Sequence, residues 1–193
     1  MPNKIIVLIL IITPLLLHGQ DFDIKKYQDK IVSFDGQNAT LSNDEIVSLA
    51  LAENDTLLVL TRHGEKVDQS RNPQLSAAGK LRAENLKKIF ANTPIFDVVY
   101  SSKYYRTVNT IRPYCKSKSI KWNIYDPKKP DSLIALLKSY NTALIVGHSN
   151  TIPKLINHLT GTDLSEFVEE DYNNLVFIKI PHKGAKSIYF FQY

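Results

Sequence analysis

From residue 57 onward, short and solidly apolar runs alternate with longer stretches whose apolar positions recur every three or four residues. Leu57-Leu58-Val59-Leu60-Thr61, Phe96 to Tyr100 and Ala143-Leu144-Ile145-Val146-Gly147 are too short and too continuously apolar for surface helices. They predict strands covered on both faces. Ile120 to Ile124 predicts a shorter strand. Between these runs, Ser76 is placed to cap a helix reaching about Phe90, with Leu81, Leu86, Ile89 and Phe90 as its apolar positions. A second helix is predicted from Tyr105 to Tyr114, shortened by Pro113. A third starts at Asp131 or Ser132 and ends near Tyr140. A fourth runs from Thr151 to Leu159, with Pro153 in its first turn and Gly161 just past its end. Asn174 to Ile180 and Lys186 to Phe191 predict a closing strand pair turned at His182-Lys183-Gly184. Residues 21–55 carry the weakest signal. The reading there is a short helix over Asp44 to Ala52, capped by Ser42 or Asn43.

Strands that alternate with helices predict an α/β fold: a three-layer α/β/α sandwich with a mostly parallel central sheet and an antiparallel final hairpin. No segment repeats and no linker divides residues 21–193, so a single domain is expected there. Residues 1–20 form a separate object. Lys4 precedes an apolar run, Ile5 to Leu17, interrupted only by Thr13 and Pro14, and His18-Gly19-Gln20 follows. This is the pattern of a secretory signal peptide, and it falls short of the roughly 20 residues that span a bilayer. It predicts a periplasmic or secreted protein that meets the membrane only through this segment during export.

Composition narrows the function classes. The 193 residues are 44% hydrophobic and 22% charged, a globular balance. The net charge of +5 is spread over scattered lysines, not gathered into the stripe of a nucleic-acid binder, so no nucleic-acid partner is expected. The single cysteine, Cys115, excludes an internal disulfide and a thiolate metal cluster. No glycine-rich dinucleotide fingerprint and no P-loop occurs.

The candidate chemistry lies where strands end. Arg62-His63-Gly64-Glu65-Lys66, Ser102-Lys103-Tyr104-Tyr105-Arg106 and Gly147-His148-Ser149-Asn150-Thr151 each follow an apolar run. In an open α/β sheet, ligands bind beyond the carboxyl ends of the strands, so these three segments converge although they lie far apart in sequence. Two arginines suit an oxyanion with several oxygens, most naturally phosphate. The helix start near Thr151 is expected to add free backbone N–H groups. A neutral imidazole attacks phosphorus and holds the phosphoryl group transiently. A zinc site on His63 and His148 is disfavoured by the two neighbouring arginines, and no carboxylates cluster as a magnesium or calcium cage. No metal and no organic cofactor is expected.

Arg62-His63-Gly64, with Arg106 and then Gly147-His148 in that order, resembles the signature of the histidine phosphatase (phosphoglycerate mutase-like) superfamily over about residues 56–180. The resemblance implies that His63 is the nucleophile that becomes phosphorylated. It implies that Arg62 and Arg106 clamp the phosphate, and that His148 donates a hydrogen bond to it. Many members place the general acid between the second arginine and the second histidine, which here points to Asp126. Glu65 competes for that role, and Asp131 suits a helix cap better. Lys66, Asn150 and Ser149 are candidate substrate contacts, and Glu169-Glu170-Asp171-Tyr172 reads as a solvated loop, with lining of the entrance as its alternative. The expectation is an extracytoplasmic phosphatase that hydrolyses small phosphomonoesters through phosphohistidine. A protein-phosphohistidine phosphatase and a non-catalytic phosphate-ligand-binding surface protein are the alternatives. A cleft with neither Asp126 nor Glu65 beside His63 would favour the binding reading.

Overall fold

The computed structural model describes residues 23–193; the predicted signal segment at 1–20 lies outside the described residues. Among the described residues, nine strands form one mixed sheet. They are β1 (Asp23–Phe34), β2 (Asn38–Leu41), β3 (Ile46–Ser48), β4 (Thr56–Arg62), β5 (Val98–Ser102), β6 (Asn123–Tyr125), β7 (Thr142–Gly147), β8 (Asn174–Ile180) and β9 (Ser187–Gln192), ordered β3-β2-β1-β9-β8-β4-β7-β5-β6. Strands β4, β7, β5 and β6 are parallel neighbours, and β8 and β9 form the antiparallel final pair. The parallel half matches the sequence expectation. The other half is mixed, because β1 pairs parallel with β9 and antiparallel with β2.

The helices of the described residues that connect the strands are α1 (Ala77–Ile89), α2 (Tyr105–Lys118), α3 (Pro130–Leu137) and α4 (Thr151–Thr160). Alternation along the central strands divides the core between the two faces. Leu57 and Val59 pack with Leu86, Phe90, Ile111 and Tyr114 beneath α1 and α2. Leu58 and Leu60 pack with Leu133, Ile152 and Ile156 beneath α3 and α4. Both faces of β4 are thereby covered, which is why its sequence is apolar throughout. No helix of the described residues is long and apolar enough to cross a membrane.

Several expectations need correction. Asp44 to Ala52 is not helical. Ser42 and Asn43 instead build the turn between β2 and β3, where Asp44 takes φ +66° and the Asn43 side chain accepts from the Glu45 amide at 3.0 Å. Val47 is buried between exposed neighbours, a period of two. Pro113 does not shorten α2, which continues to Lys118 because Tyr114 and Cys115 bury their side chains beyond it. Leu81 is exposed, not a core position of α1. Asp131 does not cap α3; it lies in the first turn, with Lys129 at the cap.

Candidate active site

The register of the parallel strands builds the site. Arg62 aligns with Gly147, and Ser102 aligns with Tyr125, so β4, β7, β5 and β6 end at one level. The loops beyond them enclose a cleft of about 400 Å³ whose lining includes Arg62, His63, Lys66, Arg106, His148, Ser149, Asn150 and Glu169.

Arg62, the last residue of β4, is 1% exposed. Its Nη1 donates to the carbonyls of Val168 at 2.7 Å and Glu169 at 3.1 Å, and its Nη2 donates to Glu169 Oε2 at 2.9 Å. The guanidinium lies over the Tyr172 ring, 4.0 Å from its centroid. Arg106, in the first turn of α2, is stacked over Tyr104 at 4.5 Å. Among the described residues, Arg62 Nε and Arg106 Nη1 are buried and have no protein hydrogen-bond partner. Buried polar donors normally have partners, and two unmatched guanidinium donors on one cleft fit an incoming oxyanion.

His63 follows Arg62 directly. Its Nδ1 is 2.8 Å from the Gly64 carbonyl, and Arg106 Nε donates to its Nε2 at 3.1 Å. A carbonyl can only accept and a guanidinium can only donate, so the network assigns the proton to Nδ1 and leaves the Nε2 lone pair facing Arg106. Burial, with the nearby His148, Arg106 and Arg62 charges, pushes the His63 pKa down to about 3 against the support of the Gly64 carbonyl. The imidazole is neutral at physiological pH, as a nucleophile must be.

His148 follows β7. Its Nε2 lies 2.9 Å from Ser102 Oγ, its Nδ1 3.4 Å from Arg106 Nη2, and Ser102 Oγ lies 2.8 Å from Thr107 Oγ1. By the same argument Nε2 carries the proton and donates to Ser102. Burial and the two arginines hold the His148 pKa down to about 4. The two imidazole rings are 5.4 Å apart, edge to face. Thr110 Oγ1 accepts from the Gly64 amide at 2.9 Å and donates to the Arg106 carbonyl at 2.8 Å, tying the loop after β4 to α2.

The structure places the two acid candidates outside this cluster. Glu65 grips Arg82, whose Nε lies 3.0 Å from Oε2. Burial acts to raise the Glu65 pKa, but the Arg82 hydrogen bonds and charge outweigh it and keep the carboxylate below its ordinary value. Asp126 accepts from the Lys128 amide at 3.0 Å within its own turn and lines an adjoining hollow, not the cleft. The helix amides are not free either. The amides of Thr151 and Ile152 both donate to the His148 carbonyl, at 3.2 and 3.1 Å, and Pro153 has none. Ser149 and Asn150 line the cleft, and Asn150 occupies the N-terminal cap of α4 without a side-chain cap bond.

Two carboxylates line the cleft: Glu166, which pairs with Lys154 at 3.0 Å, and Glu169, from the loop that the sequence reads as solvated or as lining the entrance. Besides Arg62, Glu169 meets Lys66 Nζ at 2.9 Å and accepts from Tyr172 OH at 2.8 Å. The Lys66 and Tyr172 hydrogen bonds, with Arg62, hold its pKa down to about 2. Its loop is fixed by Asn157, whose side chain bonds the backbone of Leu164 in both directions, and by the Phe167 amide donating to the Ser149 carbonyl at 3.0 Å. No periodicity marks such a loop, and the only sequence signal is a glutamate close ahead of a buried strand.

Among the described residues, no three His, Cys, Asp or Glu side chains are grouped to hold a metal ion. Comparison with known proteins bears on this geometry. No curated protein matches the sequence. The family model described as histidine phosphatase superfamily (branch 1) matches residues 58–127, which include Arg62, His63 and Arg106. The alpha-ribazole phosphatase from Shigella flexneri is 18% identical, with 67% of this chain and 93% of that one covered at a TM-score of 0.55. The mycobacterial glucosyl-3-phosphoglycerate phosphatase is 11% identical, with 72% and 99% covered and a TM-score of 0.58. The protein histidine phosphatase SixA complexed with tungstate is 13% identical, with 69% and 94% covered and a TM-score of 0.56. These likenesses are too distant to speak for more than the fold. Together with the family model across the Arg62-His63-Gly64 segment, they lead to one conclusion: over residues 58–127 this chain is similar to the histidine phosphatase superfamily, and its fold is of the same kind.

Proposed function

We propose that this protein is an extracytoplasmic phosphatase that hydrolyses small phosphomonoesters through a phosphohistidine intermediate. The observation that carries the proposal is the pair of buried, unmatched donors, Arg62 Nε and Arg106 Nη1, beside a neutral imidazole whose unprotonated Nε2 accepts from Arg106 Nε. In this reading His63 Nε2 attacks phosphorus and the P–O bond to the leaving group breaks. The guanidinium groups stabilise the charge on the remaining phosphoryl oxygens. His148 takes a proton at Nδ1 as the dianion binds, and the Nδ1–H donates a hydrogen bond to a phosphoryl oxygen. Water then attacks phosphorus, the P–N bond to His63 breaks, and the water's proton passes to the carboxylate that protonated the leaving group, releasing phosphate. The extracytoplasmic part rests on the residue 1–20 pattern alone.

Glu169 is ionised and spoken for, so it is not the proton donor. Asp126 is proposed to protonate the leaving oxygen, from a hollow that shares Tyr104, Pro127 and Lys128 with the cleft. The absence of Asp126 and Glu65 from the cleft lining gives weight to two other readings. One is a protein-phosphohistidine phosphatase, because an imidazole leaves phosphorus more readily than an alkoxide does. The other is a non-catalytic phosphate-ligand-binding surface protein.

The test is phosphate release by the purified protein from aryl and alkyl phosphates and from a phosphohistidine peptide, with acid-stable and acid-labile phosphoenzyme assayed separately. Acid-labile phosphoenzyme is expected in the wild type and absent in His63→Ala. Asp126→Asn is expected to slow alkyl phosphates by about 10²-fold, the range of general acid catalysis, and to leave aryl phosphates nearly unchanged. Turnover of the phosphohistidine peptide alone would select the second reading. Oxyanion binding without any turnover would select the third.

A further inference from the structure

Beside the phosphate cleft lies a second and larger hollow, of about 820 Å³, and the two share Tyr104, Pro127 and Lys128 as a common wall. Its charge is lopsided. Arg71, Lys103 and Lys128 line it, and none of the three forms an ion pair within the described residues. The one carboxylate in the lining, Asp126, is hydrogen-bonded to the Lys128 amide of its own turn. Apart from Asn72, the remaining wall is largely apolar: Pro127, the Tyr104 and Tyr125 side chains, and Ile124, which is 53% exposed. The cationic loop is held in place, since Asn72 Oδ1, next to Arg71, accepts from the Tyr105 amide at 2.9 Å.

Unpaired cations spread on a surface are ordinary, but three facing one hollow beside an oxyanion cleft concentrate positive potential there. An exposed isoleucine and a tyrosine face in the same wall add affinity for an apolar or planar body. We infer that this hollow is a subsite for the leaving group, and that it selects leaving groups with an apolar or planar body and a second anionic group, a carboxylate or another phosphate. The inference rests on the phosphatase reading for its chemistry, and it goes beyond that reading by naming the substrate class. The phosphoryl group sits on Arg62, Arg106 and the two histidines. The body of the leaving group crosses Tyr104, and its distal anion meets Arg71 and Lys103.

The experiment compares three substrates on the purified protein at low ionic strength: phenyl phosphate, 3-carboxyphenyl phosphate and 1,3-phenylene bisphosphate. In the wild type, kcat/KM for each doubly anionic substrate is expected to exceed that for phenyl phosphate by about tenfold, mostly through KM, and to lose most of that margin in 0.5 M salt. In Arg71→Ala/Lys103→Ala the margin is expected to fall to about twofold or less, with phenyl phosphate turnover unchanged as proof of an intact fold. A margin for the bisphosphate alone would restrict the second anion to phosphate, and one for the carboxylate alone to carboxylate. Equal kcat/KM for all three substrates in the wild type, or a margin untouched by the double substitution, would overturn the inference. If no substrate is turned over, the phosphatase reading fails separately. The subsite is then judged by calorimetric binding of the same three compounds, where equal affinities refute it and an Arg71- and Lys103-dependent difference upholds it.

Discussion

The Arg62–Glu169 contact shows what a single charge does in this cleft. Arg62 Nη1 is held by two backbone carbonyls and Nη2 by the carboxylate, so the guanidinium is fixed with its Nε left over. Glu169 therefore has two opposing effects on an oxyanion. It orients Arg62 and Lys66, and it repels the incoming negative charge. Glu169→Gln separates them, because the amide oxygen still accepts from Nη2 and the two carbonyl bonds remain, while the charge disappears. For charges several ångströms apart at a solvent-touching site the repulsion is worth about 1 kcal/mol. Inorganic phosphate is accordingly expected to bind Glu169→Gln several-fold more tightly, read as a lower inhibition constant or by calorimetry at low salt. Weaker binding would show that orientation outweighs repulsion. The positions of Arg62, His63, Arg106 and His148 were legible in the sequence because each follows closely on a buried strand, where loops of a parallel sheet converge. Glu169 was not, because its place depends on side-chain bonds from Asn157 and a backbone bond to Ser149 that leave no pattern in the chain.

At the scale of elements, the approach of α1 to the loop after β4 sets the position of His63. Ser76 caps α1 through the Gly79 amide at 3.1 Å, and the Ser76 amide donates to the Glu65 carbonyl at 2.9 Å. The two backbones cross at Gly64 and Gly79. A Cβ on Gly79 would run into the Glu65 carbonyl, and one on Gly64 would lie 2.8 Å from the Gly79 oxygen. Alanine in a helix normally gains about 0.5–1 kcal/mol over glycine, but here the obstruction is backbone, which cannot rotate away. Gly79→Ala is expected to destabilise by about 1–3 kcal/mol, the range of overpacking, seen as a lower urea midpoint. It is also expected to slow phosphate release, since Glu65 is two residues from His63. A midpoint at or above the wild type would place the crossing farther apart. Buried apolar runs and helix caps such as Ser76 made the elements from β4 onward readable. The N-terminal strands were not, because β1 mixes charges through its length and takes its place only by pairing with β9 and β2, partners from opposite ends of the chain. Pro113 misled for a related reason: local propensity argued for a stop, and burial of Tyr114 and Cys115 carried α2 past it.

For the whole molecule, the site costs stability in acid. His63 and His148 are buried as neutral rings with pKa values held down to about 3 and about 4, whereas in an unfolded chain both titrate near 6.5. Below 6.5 the unfolded state binds protons that the folded state refuses, so unfolding is favoured as pH falls. The loss runs from 6.5 down to about 4 for His148 and on to about 3 for His63. The depressed carboxylates, Glu65 and Glu169, have the same sign in a lower window: their contribution is present above the ordinary carboxylate pKa and fades beneath it. The interval from pH 6.5 to 4.5 thus isolates the histidines. Each can contribute at most about 1.4 kcal/mol per pH unit, so a fall on the order of 1 kcal/mol per unit or more is expected from urea unfolding. His63→Asn and His148→Gln should each flatten the slope. Sulfate, a dianion throughout this interval, should oppose it, because an imidazolium that has an anion to face no longer resists its proton. The thermal shift given by sulfate is therefore expected to grow as pH falls from 6.5 to 4.5. A shift that stays constant would mean that neither histidine takes up a proton with the anion, and would remove His148 from the donor role assigned to it.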